Sequence, residues 1–140
     1  PPPPPPPPPP TPPPPPPTTP LELDRRQRQM CIRDRAYIES ILDRSDCYQG
    51  RIATREQVQV AIDFPQHQQW VDIFKGWWKY GMRQWRERNA DDATLVFLCE
   101  LGPPPYAITD GDQKELSDRW QESLQIREWV LEIWRELGGD

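Results

Sequence analysis

Apolar side chains recur with a helical period in two long segments of the chain. The first segment runs from about Gln66 to Arg88, and its aromatic positions fall at spacings of four, three, one and seven residues. This spacing places them on one stripe that covers about one third of the helix circumference. The stripe consists of Trp70, Phe74, Trp77, Trp78 and Trp85. We therefore predict a helix here that is closed by Asn89 to Asp92.

The second helical segment begins at Ser117, near the end of the chain. Ser117 is a suitable N-cap, and Asp118 in the first turn would interact favourably with the helix dipole. Gly138 and Gly139 provide the residues at which such a helix ends. The predicted buried stripe consists of Trp120, Leu124, Val130, Leu131, Trp134 and Leu137.

Two shorter segments have the character of strands. Arg44 to Ile52 is compatible with a strand, and Thr94 to Glu100 is a near-continuous apolar run of strand length. A run of this kind is typical of a strand that is covered on both faces, as in parallel sheets. Ala36 to Leu42 is interpreted as the end of a preceding helix. Ala53 to Phe64 is interpreted as a long loop, a kind of segment that is usually functional inside a compact domain.

The order of these elements is helix, strand, helix, strand, helix, which predicts an α/β fold with a parallel sheet. Two strands alone cannot form a stable parallel sheet with both faces covered. Residues 36–140 also hold all seven tryptophans, which is more apolar surface than two helices and two strands can hide. We therefore interpret residues 36–140 as a partial domain, the C-terminal portion of a larger α/β protein, and expect it to expose apolar surface in isolation.

Composition separates this body from the residues that precede it. Seventeen of the 21 prolines lie in positions 1–20, a pattern that predicts an extended, disordered polyproline segment over residues 1–24. The body carries 12 Lys and Arg against 19 Asp and Glu and has no basic run, which argues against a nucleic-acid partner. No apolar stretch approaches the roughly 18 residues that a membrane span requires, and no secretory signal is recognisable.

The cysteine and histidine positions predict little chemistry. Cys31, Cys47 and Cys99 lack the spacing of metal ligands, so reduced thiols in a cytoplasmic setting are expected. Cys47 and Cys99 are interpreted as buried strand cysteines. The lone His67, at the start of a helix rich in glutamine, is expected on the surface.

Residues 25–34 read Arg-Arg-Gln-Arg-Gln-Met-Cys-Ile-Arg-Asp, which resembles the conceptual translation of a transposase-based sequencing adaptor; Arg35 fits the last, partial codon. We therefore interpret residues 25–35 as adaptor-derived. The alternative for this basic segment is an arm for nucleic acid or a localisation signal. For the proline run, the alternative to low-complexity sequence is a ligand for SH3-, WW- or profilin-type grooves.

Three short motifs of the body occur in a fixed order. They are Trp77-Trp78, Cys99-Glu100-Leu101-Gly102-Pro103-Pro104-Pro105-Tyr106 and Asp118-Arg119-Trp120. The segment resembles the end of sugar phosphate isomerase/epimerase proteins with the xylose-isomerase-like TIM barrel. In that family a Trp-Trp helix precedes the last barrel strand, the strand ends in Glu-Phe-Gly-Pro-Pro-Pro-Tyr, and an Asp-Leu-Trp helix closes the chain. Arg51-Ile52 and Gln59-Val60 are similar to the preceding family segments His-Ala-Arg-Val-Gly and Pro-Gln-Val.

The resemblance implies that residues 36–140 contain the last two strand–helix units of a TIM (β/α)8 barrel. It also implies a divalent metal ion (Mn, Mg, Co or Zn) held by Glu, Asp, His and Glu from four strands, and Glu100 matches the last of these ligands. In such a site the metal polarises a carbonyl or enediolate while a carboxylate moves a proton. One departure stands out: Gln49 occupies the position of the family's His, and an amide is a poor substitute for imidazole on Mn, Co or Zn.

The candidate site residues are Glu100 as metal ligand and catalytic carboxylate, and Arg51, Tyr106 and Gln49 as contacts to the substrate. We expect Glu100 at the carboxyl end of the second strand, on the same side as Arg51 at the end of the first. The alternative for Glu100 is a carboxylate paired with an arginine or bound to backbone amides. The alternative for Arg51, otherwise an anion or phosphate contact, is a structural ion pair.

Three functions follow from these observations. The first is a metal-dependent isomerase or epimerase of a sugar or sugar phosphate, of which this chain would be an inactive fragment. The second is a proline-rich interaction module that recruits SH3- or WW-like partners. The third is a noncatalytic barrel relative that has lost the histidine ligand.

Overall fold

The structure is a computed structural model that describes residues 35–139. The elements are α1 (residues 35–42), β1 (Cys47–Gly50), a 3-10 turn (Pro65–His67), α2 (Gln68–Arg88), β2 (Val96–Cys99) and α3 (Arg119–Glu136). The expectations for the polyproline segment, for residues 25–34 and for Cys31 concern positions outside these residues. Among the described helices, none combines the length and apolar character that a membrane crossing requires.

The two strands pair in parallel, in a register that sets Cys47 beside Val96 and Gly50 beside Cys99. The predicted α/β architecture with a parallel sheet is therefore confirmed at this level. Each strand has four residues, so both are shorter than the predicted segments. The long loop predicted between β1 and the next helix is also present.

One face of the sheet, here called the closed face, carries Tyr48, Gly50, Phe97 and Cys99. The Phe97 ring meets the buried Trp78 of α2 edge-on, with 5.4 Å between centroids, and stacks against Tyr48 at 6.3 Å. Burial raises the pKa of Tyr48 to about 12. The core beneath this face is built from α2, α3 and the loop after β1; its most buried members are Ile52, Met82, Ile126 and Val60.

The opposite face, here called the open face, carries Cys47, Gln49, Val96 and Leu98. Val96 is 59% exposed and Leu98 is 55% exposed. The prediction that the second strand is covered on both faces is therefore wrong for residues 35–139. The reason is that the core elements all pack against the closed face, and no described element remains to cover the other.

Helix α2 begins later than predicted, after the 3-10 turn, because Pro65 occupies the first turn position. Trp78 and Trp85 are buried as expected, whereas the other three aromatic residues of the stripe are only partly buried. The stripe also includes residues that the aromatic spacing did not single out, namely Val71, Gly81 and Met82. Gly81 is required because a Cβ there would lie 2.6 Å from the Tyr48 hydroxyl.

His67 contradicts its expected surface position, because it is only 7% exposed. Its Nδ1 lies 2.7 Å from the Ala61 carbonyl oxygen, to which it donates, and its ring stacks on Phe64. A buried histidine is stable here because the loop offers a backbone acceptor. Cys47 also departs from expectation, since it is exposed on the open face, while Cys99 is half-buried.

Helix α3 starts one residue later than the sequence suggested. Asp118, not Ser117, is the N-cap, and its carboxylate accepts a hydrogen bond from the Gln121 amide. Of the predicted stripe, Val130 is buried and Trp134 and Leu137 pack partly buried against the core, whereas Trp120 is 70% and Leu124 is 37% exposed. The buried residues of α3 are Arg119, Glu122, Ile126, Val130 and Ile133. The helix ends at Glu136, and the predicted terminating residue Gly138 follows directly after the cap residue Leu137 with a φ of 82°, which favours glycine.

Candidate functional site

The carboxyl ends of β1 and β2 bring Arg51 and Glu100 together. The ladder continues one step past the strands, because the Glu100 amide donates to the Gly50 carbonyl oxygen at 3.1 Å. Gly50 and Cys99 belong to the closed face, so the residues that follow them point to the open side, as side chains alternate along a strand. Arg51 and Glu100 therefore lie above the open face, on the side that also carries Gln49.

The two side chains form a long ion pair, with Arg51 Nη1 3.6 Å from Glu100 Oε1. Both are accessible, at 39% for Arg51 and 41% for Glu100. Glu100 Oε2 is buried and has no hydrogen-bond partner among the described residues. A carboxylate oxygen in that state is costly, because its lost hydration is not replaced. The predicted position of Glu100, on the same side as Arg51, is thus present in the structure; its predicted role stays a prediction.

A glutamine of the loop after β1 holds this end of the sheet in place. Gln59 Nε2 donates to the Gly102 carbonyl oxygen at 3.0 Å, and the Gly102 amide donates to Gln59 Oε1 at 3.1 Å. The side-chain amide of Gln59 thus makes two hydrogen bonds to the Gly102 backbone, as the backbone of a neighbouring strand would. The Val60 amide adds a bond to the Ile52 carbonyl oxygen at 3.0 Å. Together these contacts fix the loop after β1 to the segment that follows Glu100.

A second Arg–Glu pair lies below the same loop, and sequence reasoning missed it. Arg119 Nη1 is 2.8 Å from Glu122 Oε2, and both side chains are nearly inaccessible, at 5% and 6%. Glu122 Oε1 accepts from the Ile62 amide at 3.0 Å, while Arg119 Nη1 also donates to the Val60 carbonyl oxygen at 3.3 Å. The signal available in the sequence was the i, i+3 spacing of opposite charges, which surface helices show equally often.

Tyr106 lies on the proline loop after β2. Its amide donates to the Pro103 carbonyl oxygen at 3.0 Å, and its ring packs beside Gly102, where an added Cβ would come within 3.1 Å of it. The side chain is 75% exposed, and within residues 35–139 its hydroxyl makes no hydrogen bond. The structure therefore places Tyr106 near the same end of the sheet but does not join it to the Arg51–Glu100 pair.

The Glu100 carboxylate is the candidate for a metal ligand, because its Oε2 has no hydrogen-bond partner among the described residues. The orphaned Oε2 could accept a metal ion, and the exposed amide of Gln49 lies on the same face. Within residues 35–139, no three His, Cys, Asp or Glu side chains are grouped so that they could hold an ion. The described residues thus supply a single carboxylate at this place, and it is paired with Arg51.

Comparison of the chain with protein-family models, with curated proteins and with solved structures gave no match.

Proposed function

We propose that residues 36–140 are the C-terminal portion of a TIM-barrel isomerase or epimerase that acts on a sugar or sugar phosphate with a divalent metal. Both helices α2 and α3 follow strands of a parallel sheet and help form the core beneath its closed face. Val96 and Leu98 of the open face would then line the interior of the barrel. Functional groups of such barrels gather at the carboxyl ends of the strands, which is where Arg51 and Glu100 lie.

The observation that carries this proposal is the unpartnered, buried Oε2 of Glu100. In the intact parent, Glu100 would hold a divalent ion (Mn, Mg, Co or Zn) together with carboxylate and imidazole ligands from strands upstream. The bound ion would supply polarisation of a substrate carbonyl. Arg51 would contact the substrate, while Gln49 and Tyr106 would donate hydrogen bonds to substrate oxygens.

The same proposal predicts that the chain by itself does not turn over substrate. A single carboxylate and an amide hold a divalent ion only weakly, because tight, catalytically competent sites require several oxygen or nitrogen ligands in defined geometry. Gln49 also stands where the resemblance implies a histidine, which weakens any site for Mn, Co or Zn. In the intact parent, Glu100→Gln should lower turnover by orders of magnitude.

A Mn²⁺ titration of the chain, followed by NMR, tests the metal role directly. Paramagnetic broadening should be strongest for the amides of Gly50, Glu100 and Leu101, and it should disappear in Glu100→Gln. Glu128→Gln is the matched control, because Glu128 is exposed and pairs only with the neighbouring Arg127 in the described part of the chain. Broadening that is confined to other acidic surfaces, or that survives Glu100→Gln, would contradict the assignment.

A further inference from the structure

A cavity of about 300 Å³ lies between the segment that follows β2 and the start of α3. We refer to it as the α3 cavity. Its lining residues come from both sides and are Leu101, Pro103, Glu115, Asp118, Arg119, Trp120 and Ser123. Ligand pockets commonly span about 300–1,000 Å³, so this cavity suits a ligand with a single flat ring system.

The guanidinium of Arg119 has two edges, and the structure uses only one of them. Nη1 donates to Glu122 Oε2 at 2.8 Å and to the Val60 carbonyl oxygen at 3.3 Å. Nε and Nη2 form the other edge, which carries two parallel N–H groups; both atoms are buried and have no partner among the described residues. Buried donors without an acceptor cost free energy, which a ligand with suitable acceptors would recover. Because Nη1 alone is bonded, the guanidinium can pivot about this nitrogen and present the free edge to the cavity.

The charges around the α3 cavity disfavour an anion. Glu122 neutralises Arg119, and Glu115 and Asp118 add two further carboxylates to the wall. An anionic ligand would be repelled by these carboxylates, since like charges raise the energy of a site. The two parallel N–H groups of Arg119 therefore match an uncharged ligand that carries two hydrogen-bond acceptors side by side.

Trp120 offers a flat surface to such a ligand. Its side chain is 70% exposed although it lines the cavity, and its ring contacts no other aromatic ring within residues 35–139. An exposed indole of this kind stacks readily on the face of a planar heterocycle. Leu101 and Pro103 add apolar surface to the same cavity.

We propose that the α3 cavity binds a guanine-type base, as the free base or the nucleoside. Guanine carries the acceptors O6 and N7 on one edge, and arginine pairs with this edge through two parallel hydrogen bonds. These acceptors would bind Nε and Nη2 of Arg119, the ring would stack on Trp120, and the Glu115 carboxylate would accept from the N–H groups of the base. The inference is independent of the proposed function, because it uses neither Glu100 nor Arg51.

The test is a titration of the full chain with guanosine, followed by NMR of the indole N–H groups and backbone amides. Guanosine should shift the Trp120 indole signal and the amides of residues 118–123. Adenosine carries an amino group in place of O6, and 7-deazaguanosine lacks the N7 acceptor, so each should bind at least about tenfold more weakly. The second analogue tests the Arg119 contact without a substitution of Arg119, which would also break the buried pair with Glu122.

Two variants test the stacking contact. Trp120→Ala should weaken guanosine binding by about tenfold, because the base loses its aromatic partner, while the fold is retained because the ring is exposed. Tyr37→Ala is the matched control, since it removes a ring that is 67% exposed and does not line the cavity, and it should leave binding unchanged. Glu100→Gln separates this inference from the proposed function, because it should abolish the Mn²⁺ effect and leave guanosine binding unchanged.

Three results would overturn the proposal. The first is equal binding of guanosine, adenosine and 7-deazaguanosine, or no binding of guanosine at millimolar concentration. The second is guanosine binding that Trp120→Ala does not weaken. The third is tighter binding of guanosine 5′-monophosphate than of guanosine, which would show that the cavity attracts the phosphate rather than the uncharged base.

Discussion

The two sides of the sheet each carry an arginine–glutamate pair, and the two pairs differ in nearly every physical respect. On the closed side, Arg119 and Glu122 are 2.8 Å apart, almost inaccessible, and bonded to the backbone of the loop after β1. On the open side, Arg51 and Glu100 are 3.6 Å apart and about 40% exposed, and one carboxylate oxygen has no partner among the described residues.

This difference separates structural from functional use of the same chemistry. A buried pair must be bonded closely, because each charge loses its hydration and only protein groups can replace it. Arg119 Nε and Nη2 also lack partners among the described residues, so the property that sets the open-side pair apart is its exposure, which leaves it accessible to a ligand. The closed side is therefore where we expect substitutions to change stability, and the open side is where we expect them to change binding.

The largest expected effect is the loss of the buried carboxylate. Glu122→Ala would leave the Arg119 charge and the Ile62 amide unpaired, which should lower the free energy of unfolding by about 3–5 kcal/mol. Glu100→Gln, on the open side, should change it by no more than about 0.5 kcal/mol. Urea denaturation of the two variants beside the wild type measures both. Equal destabilisation would show that the pairs are not different in kind.

Adjacent residues of β2 give the second comparison. Phe97 packs against Trp78 and Tyr48, whereas Leu98 is 55% exposed on the open face. Phe97→Ala should cost about 2–3 kcal/mol, less than the roughly 3–5 kcal/mol of a fully buried phenylalanine, because the ring is only partly buried. Leu98→Ala should cost less than about 0.5 kcal/mol. If Leu98→Ala lowered the free energy of unfolding of the monomer as much as Phe97→Ala does, Leu98 would have to be buried in solution, and the open face would be covered there.

The two faces of the sheet should also differ in the reactivity of their cysteine thiols. Cys47 is exposed on the open face, whereas burial raises the pKa of the Cys99 thiol on the closed face. In a chain that carries Cys31→Ser, Cys47 should react with a disulfide reagent at neutral pH about tenfold faster than Cys99, because the thiolate is the nucleophile. Single variants Cys47→Ser and Cys99→Ser assign the two rates. If Cys99 reacted faster than Cys47, the assignment of Cys99 to the closed face would be wrong.

The smallest effect concerns a pair that belongs to neither side of the sheet. Lys79 Nζ lies 2.7 Å from Glu136 Oε2 on the surface between α2 and α3, and this hydrogen bond lowers the pKa of Glu136. A lowered carboxylate pKa stabilises the folded state above the unfolded pKa, and the contribution is lost as the pH falls through the folded pKa. The stability difference between wild type and Glu136→Gln should therefore be slight at neutral pH and vanish in acid. A stability difference that grew as the pH fell would contradict the Lys79–Glu136 ion pair.

Several features of the fold were open to prediction from residue order alone. The tryptophan spacing of α2 and the apolar run of β2 are local signals, and the alternation of helix and strand indicates a parallel sheet. The glycine that terminates α3, Gly138, is also a local signal, because only its own backbone conformation is involved. Glu100 was identifiable for the same reason, as a charge placed directly after an apolar strand.

Other features depended on contacts between residues far apart in sequence. His67 is buried because the Ala61 carbonyl lies within reach, and Gln59 is fixed by Gly102, 43 residues away. Neither partner is visible in a local pattern. The first half of the α3 stripe was predicted wrongly, because the charges of Arg119 and Glu122 are typical of surface residues and only their contact with each other allows both to be buried.

The sequence by itself determined which segments become helix and strand, because periodicity and terminating residues act over a few positions. The tertiary structure decided which face of the sheet is covered, since a strand of alternating or continuous apolar residues fits either side until the helices dock. It also decided that one Arg–Glu pair is sealed in the core and the other is left half-exposed. That outcome depends on solvent access, which is a property of the packed chain and not of any residue in it.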